Sequence, residues 1–366
     1  METFESWNRK FTNQELIDFT FDESGIVWLK LKSLIRKEIL NELSSKNNIA
    51  LPSKTNDAFK YLYNLYCKQK ISEKEINKFI LSYNKNELTL MKNNFNKIMI
   101  DLYKVKDFSW GGDAKNSLDK QIIRYVKETS SYEKMITIIE KEISINTYNY
   151  TISSWYNNWS AILTEYLFKK HSRVLSAVGK IKSVDFFIDN LPIDLKITYF
   201  PKAYLIKKRK EYKYPVEITD LKKIARKFKI KITGDETKEM LDYILYEFAK
   251  NSKDQELMEK IDIIKKQNKK IIEDSINNKS DLIKWLYENQ GEQRFGSENR
   301  LYLVLIDANN IDNSWKLKRD FNLLSDNIKN YLDEVDVDKL KKQIVEFTFS
   351  SKKYRAIADI IFIVAK

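Results

Sequence analysis

The stretch that most limits how this chain can fold runs Val184-Asp-Phe-Phe-Ile-Asp-Asn-Leu-Pro-Ile-Asp-Leu-Lys-Ile-Thr198. Residues 184–188 and 193–199 alternate or run apolar around a polar Asp189-Asn190 centre, the pattern of two antiparallel strands joined by a tight turn. Side chains along a strand point to opposite faces in turn, so Asp194, Lys196 and Thr198 share one side while Ile193, Leu195 and Ile197 share the other. A turn centred between residues 189 and 190 sets Asp185 directly across from Asp194. Opposed β-carbons lie about 4.5–5.5 Å apart, where two like charges repel. A divalent cation is the simplest way to neutralise them, because carboxylate oxygens are the ligands hard Mg²⁺ prefers. The plainer alternative is a half-buried structural strand whose Asp and Lys face water.

The paired strands, the facing aspartates and the Asp194-Leu195-Lys196 tripeptide led in by Pro192-Ile193 resemble the PD-(D/E)XK nuclease superfamily, the fold of many type II restriction endonucleases. That resemblance implies an upstream acidic residue on a helix, and Glu165 is the best match. Glu165 lies in 154–170, at the border of a helical apolar stripe of Trp155, Trp159, Ile162, Leu163 and Tyr166. A border position can bury the stem and aim the carboxylate at a sheet, although an ordinary solvated glutamate fits the same spacing. The resemblance covers residues 150–200 most closely.

Charge agrees with a polyanionic partner. The 366 residues carry 65 Lys and Arg against 52 Asp and Glu, a net +13, and phosphate neutralisation drives most non-specific nucleic-acid binding. An AT-rich coding bias would also enrich Lys, Asn and Ile. One cysteine, Cys67, allows no intramolecular disulfide and no Cys-rich zinc site. One histidine, His171, excludes paired-histidine metal sites and His-based nuclease chemistry within one chain, and is expected at a helix end. No apolar run is long enough to span a bilayer, and residues 1–10 have acidic residues where a signal peptide needs a basic start and an apolar centre. A soluble, cytoplasmic protein is expected.

Three zones follow from the patterning. Residues 1–105 read as a helical N-terminal region, with periodicity in 26–43, 56–68 and 72–90 and a break at Pro52. Trp110-Gly111-Gly112-Asp113 marks a linker turn and lacks the Gly-Lys-Ser of a phosphate loop. Helical patterns resume at 117–126 and 131–143, and residues 216–280 read as a charged helical insertion. Residues 280–289 are helical, and Leu301-Tyr-Leu-Val-Leu-Ile306 is a continuous apolar run, as in a strand buried on both faces. Strands are also expected at 345–349 and 358–364. Asp307 ends the apolar run, where turn duty is favoured over metal binding.

The order helix, hairpin, helix, buried strand is the one found in PD-(D/E)XK cores. The fold expected is therefore mixed α/β (α+β): a central mixed sheet flanked by helices, with 1–105 as the helical region, 106–366 as the nuclease domain and 216–280 inserted in it.

The strongest additional binding signal is the stretch from Lys202 to Lys213, with six basic residues and one acidic. Lys202, Lys207, Lys208, Arg209, Lys210 and Lys213 would neutralise phosphates, while Tyr204 and Tyr212 would stack or hydrogen-bond. A polar connection over 290–300 at the end of a helix, with Gln293, Arg294, Asn299 and Arg300, is either a backbone contact or a surface loop. Asn157 and Asn158 lie in a Trp155–Trp159 cluster that spacing assigns mainly to the core.

What the resemblance implies is a Mg²⁺-dependent endonuclease acting on DNA, most like a type II restriction endonuclease, with Asp185, Asp194 and Glu165 holding metal and Lys196 orienting the attacking water. Cleavage of a symmetric duplex site would imply a homodimer. Two other readings stay open: a defence, repair or transposition nuclease of the same fold acting on DNA or RNA, and a DNA-binding protein that keeps the fold without catalysis.

Overall fold

The structure is a computed structural model that describes residues 1–108, 117–181, 183–234, 236–289, 297–349 and 351–365. Trp110-Gly111-Gly112-Asp113 and Arg294 lie outside the described residues.

Six helices come first: α1 Phe4–Thr12, α2 Ile17–Thr20, α3 Glu23–Ser33, α4 Lys37–Asn47, α5 Thr55–Cys67 and α6 Glu73–Leu102. α7 Ser117–Glu128 and α8 Tyr132–Ile138 follow, and a π-helical turn over Ile139–Ile143 leads into α9 Ser144–Lys169. Strands β1 Val174–Ile181, β2 Val184–Ile188 and β3 Leu191–Tyr199 come next. Five helices then separate β3 from β4: α10 Lys202–Glu211, α11 Glu217–Lys227, α12 Lys238–Ser252, α13 Gln255–Asn277 and α14 Lys279–Asn289. β4 Arg300–Asp307, a 3₁₀ stretch Ile311–Arg319, α15 Phe321–Glu334, α16 Val337–Lys341, β5 Ile344–Phe349 and β6 Lys352–Ala365 close the chain.

Local chemistry explains most boundaries. α6 opens on a capping box in which the Ser72 hydroxyl accepts from Glu75 N–H and the Glu75 carboxylate accepts from Ser72 N–H. The expected single helix over 26–43 is two helices. α3 stops at Ser33, whose carbonyl meets the backbone of β1 at Gly179, a contact too close for any β-carbon, and Arg36 is extended (φ −102°, ψ 141°) before α4 begins.

The strands form one mixed sheet in the order β1-β2-β3-β4-β6-β5. β1, β2 and β3 are antiparallel neighbours, β4 lies parallel to both β3 and β6, and β5 is antiparallel to β6. Flanked by parallel strands and covered on both faces, β4 is buried over seven of its eight residues, which is why its sequence does not alternate. Leu301, Leu303 and Leu305 face one core with Ile193 and Leu195, under Leu163 and Leu167 of α9 and Leu324 and Ile328 of α15. Tyr302, Val304 and Ile306 face the other, under α10, α13 and α14. Each fully buried aliphatic side chain there contributes about 1.5–3 kcal/mol.

The N-terminal helices share a core with the sheet: Trp28, Phe59 and Phe79 pack with Ala177, Val178, Val184 and Phe187 of β1 and β2. The 216–280 helices bury a smaller core of their own, including Leu221, Leu241, Leu245 and Leu257. α13 joins it to the main body, since Ile271 and Ile272 belong to the core on the sheet. Among the described residues no helix is long and apolar enough to cross a membrane.

Candidate active site

The β2–β3 turn has the geometry its sequence demands. Asp189 and Asn190 both adopt positive φ (43° and 68°), which a two-residue hairpin turn of matching twist requires and which Asp and Asn tolerate better than other side chains. Arg173 anchors Asp189 through Nε at 2.8 Å. The fully buried Lys30 donates to Asn190 Oδ1 at 2.7 Å and to Asn77 Oδ1 at 2.9 Å, with Glu73 as its counter-ion. The hairpin tip is thereby tied to α3 and α6.

Pairing of Ile188 with Leu191, Phe187 with Pro192 and Phe186 with Ile193 sets the expected register. One step further, Asp185 faces Asp194, and its Oδ2 accepts from Leu195 N–H at 2.8 Å. Lys196 Nζ lies 2.7 Å from Asp194 Oδ1. Across the parallel β3–β4 pair, Asp194 stands beside Arg300, whose Nε is 3.3 Å from Asp194 Oδ2.

Burial dominates the electrostatics. Asp185 is pushed up to about 6, first by burial and then by the charges of Asp194 and Glu165. Burial raises Asp194 as well, against the opposing pull of the Lys196 and Arg300 cations. Because folded Asp185 holds its proton more tightly than the unfolded chain does, its contribution makes stability fall as pH rises from about 4 through about 6. Asp185→Asn removes this term while keeping an acceptor for Leu195 N–H. In metal-free buffer the variant should match wild type near pH 4 and exceed it by roughly 2–3 kcal/mol at pH 8. Urea titrations across that range check it, and parallel stability profiles for the two proteins would contradict it.

Glu165 is placed differently from the expectation. The buried stripe of α9 runs through Ser153, Tyr156, Ser160, Leu163, Thr164 and Leu167, so Trp159, Ile162 and Tyr166 turn toward α6. Glu165 lines a cleft of about 610 Å³ with these residues and with Met91 and Asn84, and it pairs with Lys169 at 2.8 Å. It remains close enough for its charge to raise Asp185.

Arg300 is not a surface contact. It is 1% exposed, its Nη2 is 3.2 Å from Glu298 Oε2, its Nη1 donates to the Tyr302 hydroxyl at 3.3 Å, and its guanidinium lies over the Tyr287 ring. Burial on the central strand leaves it no path to a phosphate backbone. Glu298, absent from the sequence reading, is buried, accepts from Ser183 Oγ at 3.0 Å and adds its negative field to Asp194. Its only sequence signal is its position three residues before the apolar run that begins at Leu301.

The 202–213 segment is α10 and its C-terminal turn. Arg209 is fully buried and donates to Pro215 O, Asn268 Oδ1 and Gln267 Oε1. Tyr204 is buried too, its hydroxyl donating to Asp281 at 3.0 Å. Tyr212 donates to Asp274 at 2.5 Å. Lys208 pairs with Asp281 at 2.5 Å and with Glu211 at 2.8 Å, Lys202 with Asp312 at 2.6 Å, and Lys207 approaches Glu211 at 3.7 Å. Only Lys202, Lys207, Lys210 and Lys213 of the expected binding residues are exposed here. The amphipathic stems and the single buried guanidinium are used for packing α10 on α13 and α14.

Three side roles match the expectations: Asp307 Oδ1 caps a turn by accepting from Asn309 and Asn310 N–H, His171 follows the end of α9 and contacts Asp333 at 3.0 Å, and Tyr156 is core. Asn157 accepts from Lys318 Nζ at 2.6 Å.

No family model, curated protein or solved structure matches the chain. Among the described residues no three Asp, Glu, His or Cys side chains converge as a metal-holding cluster. A buried carboxylate, Asp194, that raises the proton affinity of a half-buried one facing it, Asp185, suits Mg²⁺, which takes one or two protein carboxylates and fills its other positions with water and phosphate.

Proposed function

We propose that this chain is a Mg²⁺-dependent endonuclease that hydrolyses DNA phosphodiester bonds, of the PD-(D/E)XK type and most like a type II restriction endonuclease. The observation that carries the reading is Asp185 across a tight hairpin from Asp194, with Lys196 on the same strand face and bonded to Asp194. The succession of α9, the β1–β2–β3 meander, intervening helices and β4 parallel to β3 supports the same core.

In this reading Asp185 and Asp194 hold the cation, and Glu165 adds a negative field from the α9 side without joining them in one cluster. Bound Mg²⁺ would polarise a phosphoryl oxygen and lower the pKa of a water ligand. Lys196 Nζ, held by Asp194 Oδ1 and reaching solvent, orients the attacking water and offsets the negative charge that develops on the phosphoryl group. A homodimer would follow if the target is a two-fold DNA site.

One observation favours the alternative of a DNA-binding protein without catalysis: Lys196 and Arg300 already engage both oxygens of Asp194. Lys196→Arg separates the two. Arginine keeps the positive charge but replaces a compact ammonium with a planar fork that does not lose its proton. Plasmid nicking in Mg²⁺ should fall roughly 10²–10³-fold with little change in DNA affinity. Loss of affinity at an unchanged rate would move Lys196 from the reaction to backbone binding.

A further inference from the structure

A second basic stretch carries more exposed and less neutralised charge than α10. From Lys222 to Lys231 the chain carries six basic residues and no acidic one. In α11 the apolar stripe of Leu221, Ile224 and Ala225 is buried in the small core of the insertion. The 3.6-residue period therefore turns Lys223, Arg226 and Lys227 outward together. Lys229 and Lys231 extend the exposed charge past the helix end, and the left-handed backbone at Lys229 (φ 54°) turns the chain there.

Most of α10's charge is spent on Asp281, Glu211 and Asp312. On the α11 surface, Lys227 pairs with Glu256 and Lys222 donates to Gly234 O at 2.6 Å. Among the described residues no carboxylate lies in ion-pair distance of Lys223, Arg226, Lys229 or Lys231.

We propose that this face of α11 and its C-terminal extension is the surface that binds the phosphate backbone of nucleic acid. The choice of occupant rests on the nuclease reading. Anionic lipid fits less well, because the outward stripe carries no apolar side chain to enter a bilayer, whereas phosphate contacts need only exposed cations. The contacts carry no sequence information, so they serve cognate and unrelated DNA alike.

The test is fluorescence anisotropy of a labelled random-sequence DNA duplex in EDTA, titrated at several salt concentrations so that no cleavage intervenes. Lys223→Gln/Arg226→Gln/Lys229→Gln/Lys231→Gln should reduce the slope of log affinity against log salt by roughly 3–4, about 0.9 per lost phosphate contact. Lys207→Gln/Lys210→Gln/Lys213→Gln on α10 should reduce it by less than about 1. All seven positions are exposed, and unchanged circular dichroism and thermal midpoints verify folding. An unaltered slope in the folded α11 variant overturns the proposal, as does wild-type chain that ignores the duplex and sediments with phosphatidylglycerol vesicles. Because binding is read without Mg²⁺, its failure is separate from a failure of cleavage, which the plasmid assay reads.

Discussion

Asp194→Asn is expected to lower Mg²⁺-dependent cleavage roughly 10³-fold or more while leaving affinity for duplex DNA in EDTA within about twofold, a difference worth under ~0.5 kcal/mol. The amide keeps the shape of a residue that is only 6% exposed, but removes the formal charge that a cation would need. It also leaves Lys196 and Arg300 without the carboxylate between them, so a stability loss accompanies the change. Measuring initial nicking rates at a temperature well below the variant's own midpoint separates the two effects. A folded variant that nicks at a rate near wild type would remove Asp194 from the site.

Arg300→Met should be among the most destabilising single substitutions in the chain, costing about 3–5 kcal/mol. The guanidinium is 1% exposed and lies between two buried carboxylates, Asp194 and Glu298. Removing it leaves both negative charges in a low-dielectric interior, and methionine's similar volume limits the cavity contribution. The loss should shrink in acid, where Asp194, whose proton affinity burial raises, takes up a proton and no longer needs the cation. Urea unfolding at pH 5 and pH 8 checks this. A loss under about 1 kcal/mol that does not change with pH would mean that Arg300 behaves as an exposed charge.

The hairpin was legible because its determinants are short-range: two apolar flanks, a turn pair that accepts positive φ, and a strand period that fixes which residues share a face. The register of Asp185 and Asp194 follows from those alone. β4 was legible for the same reason, as a run without alternation signals burial on both faces. Burial of individual charges was not. Arg209 and Lys208 are adjacent in sequence, yet one is sealed against Asn268 and Pro215 and the other pairs with Asp281, a distinction set by which helices pack on α10. Arg300 read as the end of a polar connection because the parallel alignment of β4 with β3, which brings it to Asp194, spans more than a hundred residues of sequence. β1 went unread, since Ser176, Gly179 and Lys180 interrupt its apolar pattern, and its pairing with β2 and packing on α3 and α6 supply what propensity does not. Lys222–Lys231 looked like one more charged helix until the fold separated its buried stripe from its exposed one.

The most direct test of the account is conversion of supercoiled plasmid by the purified wild-type chain across a Mg²⁺ titration, with EDTA as the zero point and pH varied from 5 to 8. Expected are no conversion in EDTA, saturable production of nicked and linear DNA with Mg²⁺, and a Mg²⁺ midpoint that rises as pH drops below about 6, where proton and cation compete for Asp185. Tight, salt-dependent DNA binding with no Mg²⁺-dependent cleavage at any pH would contradict it.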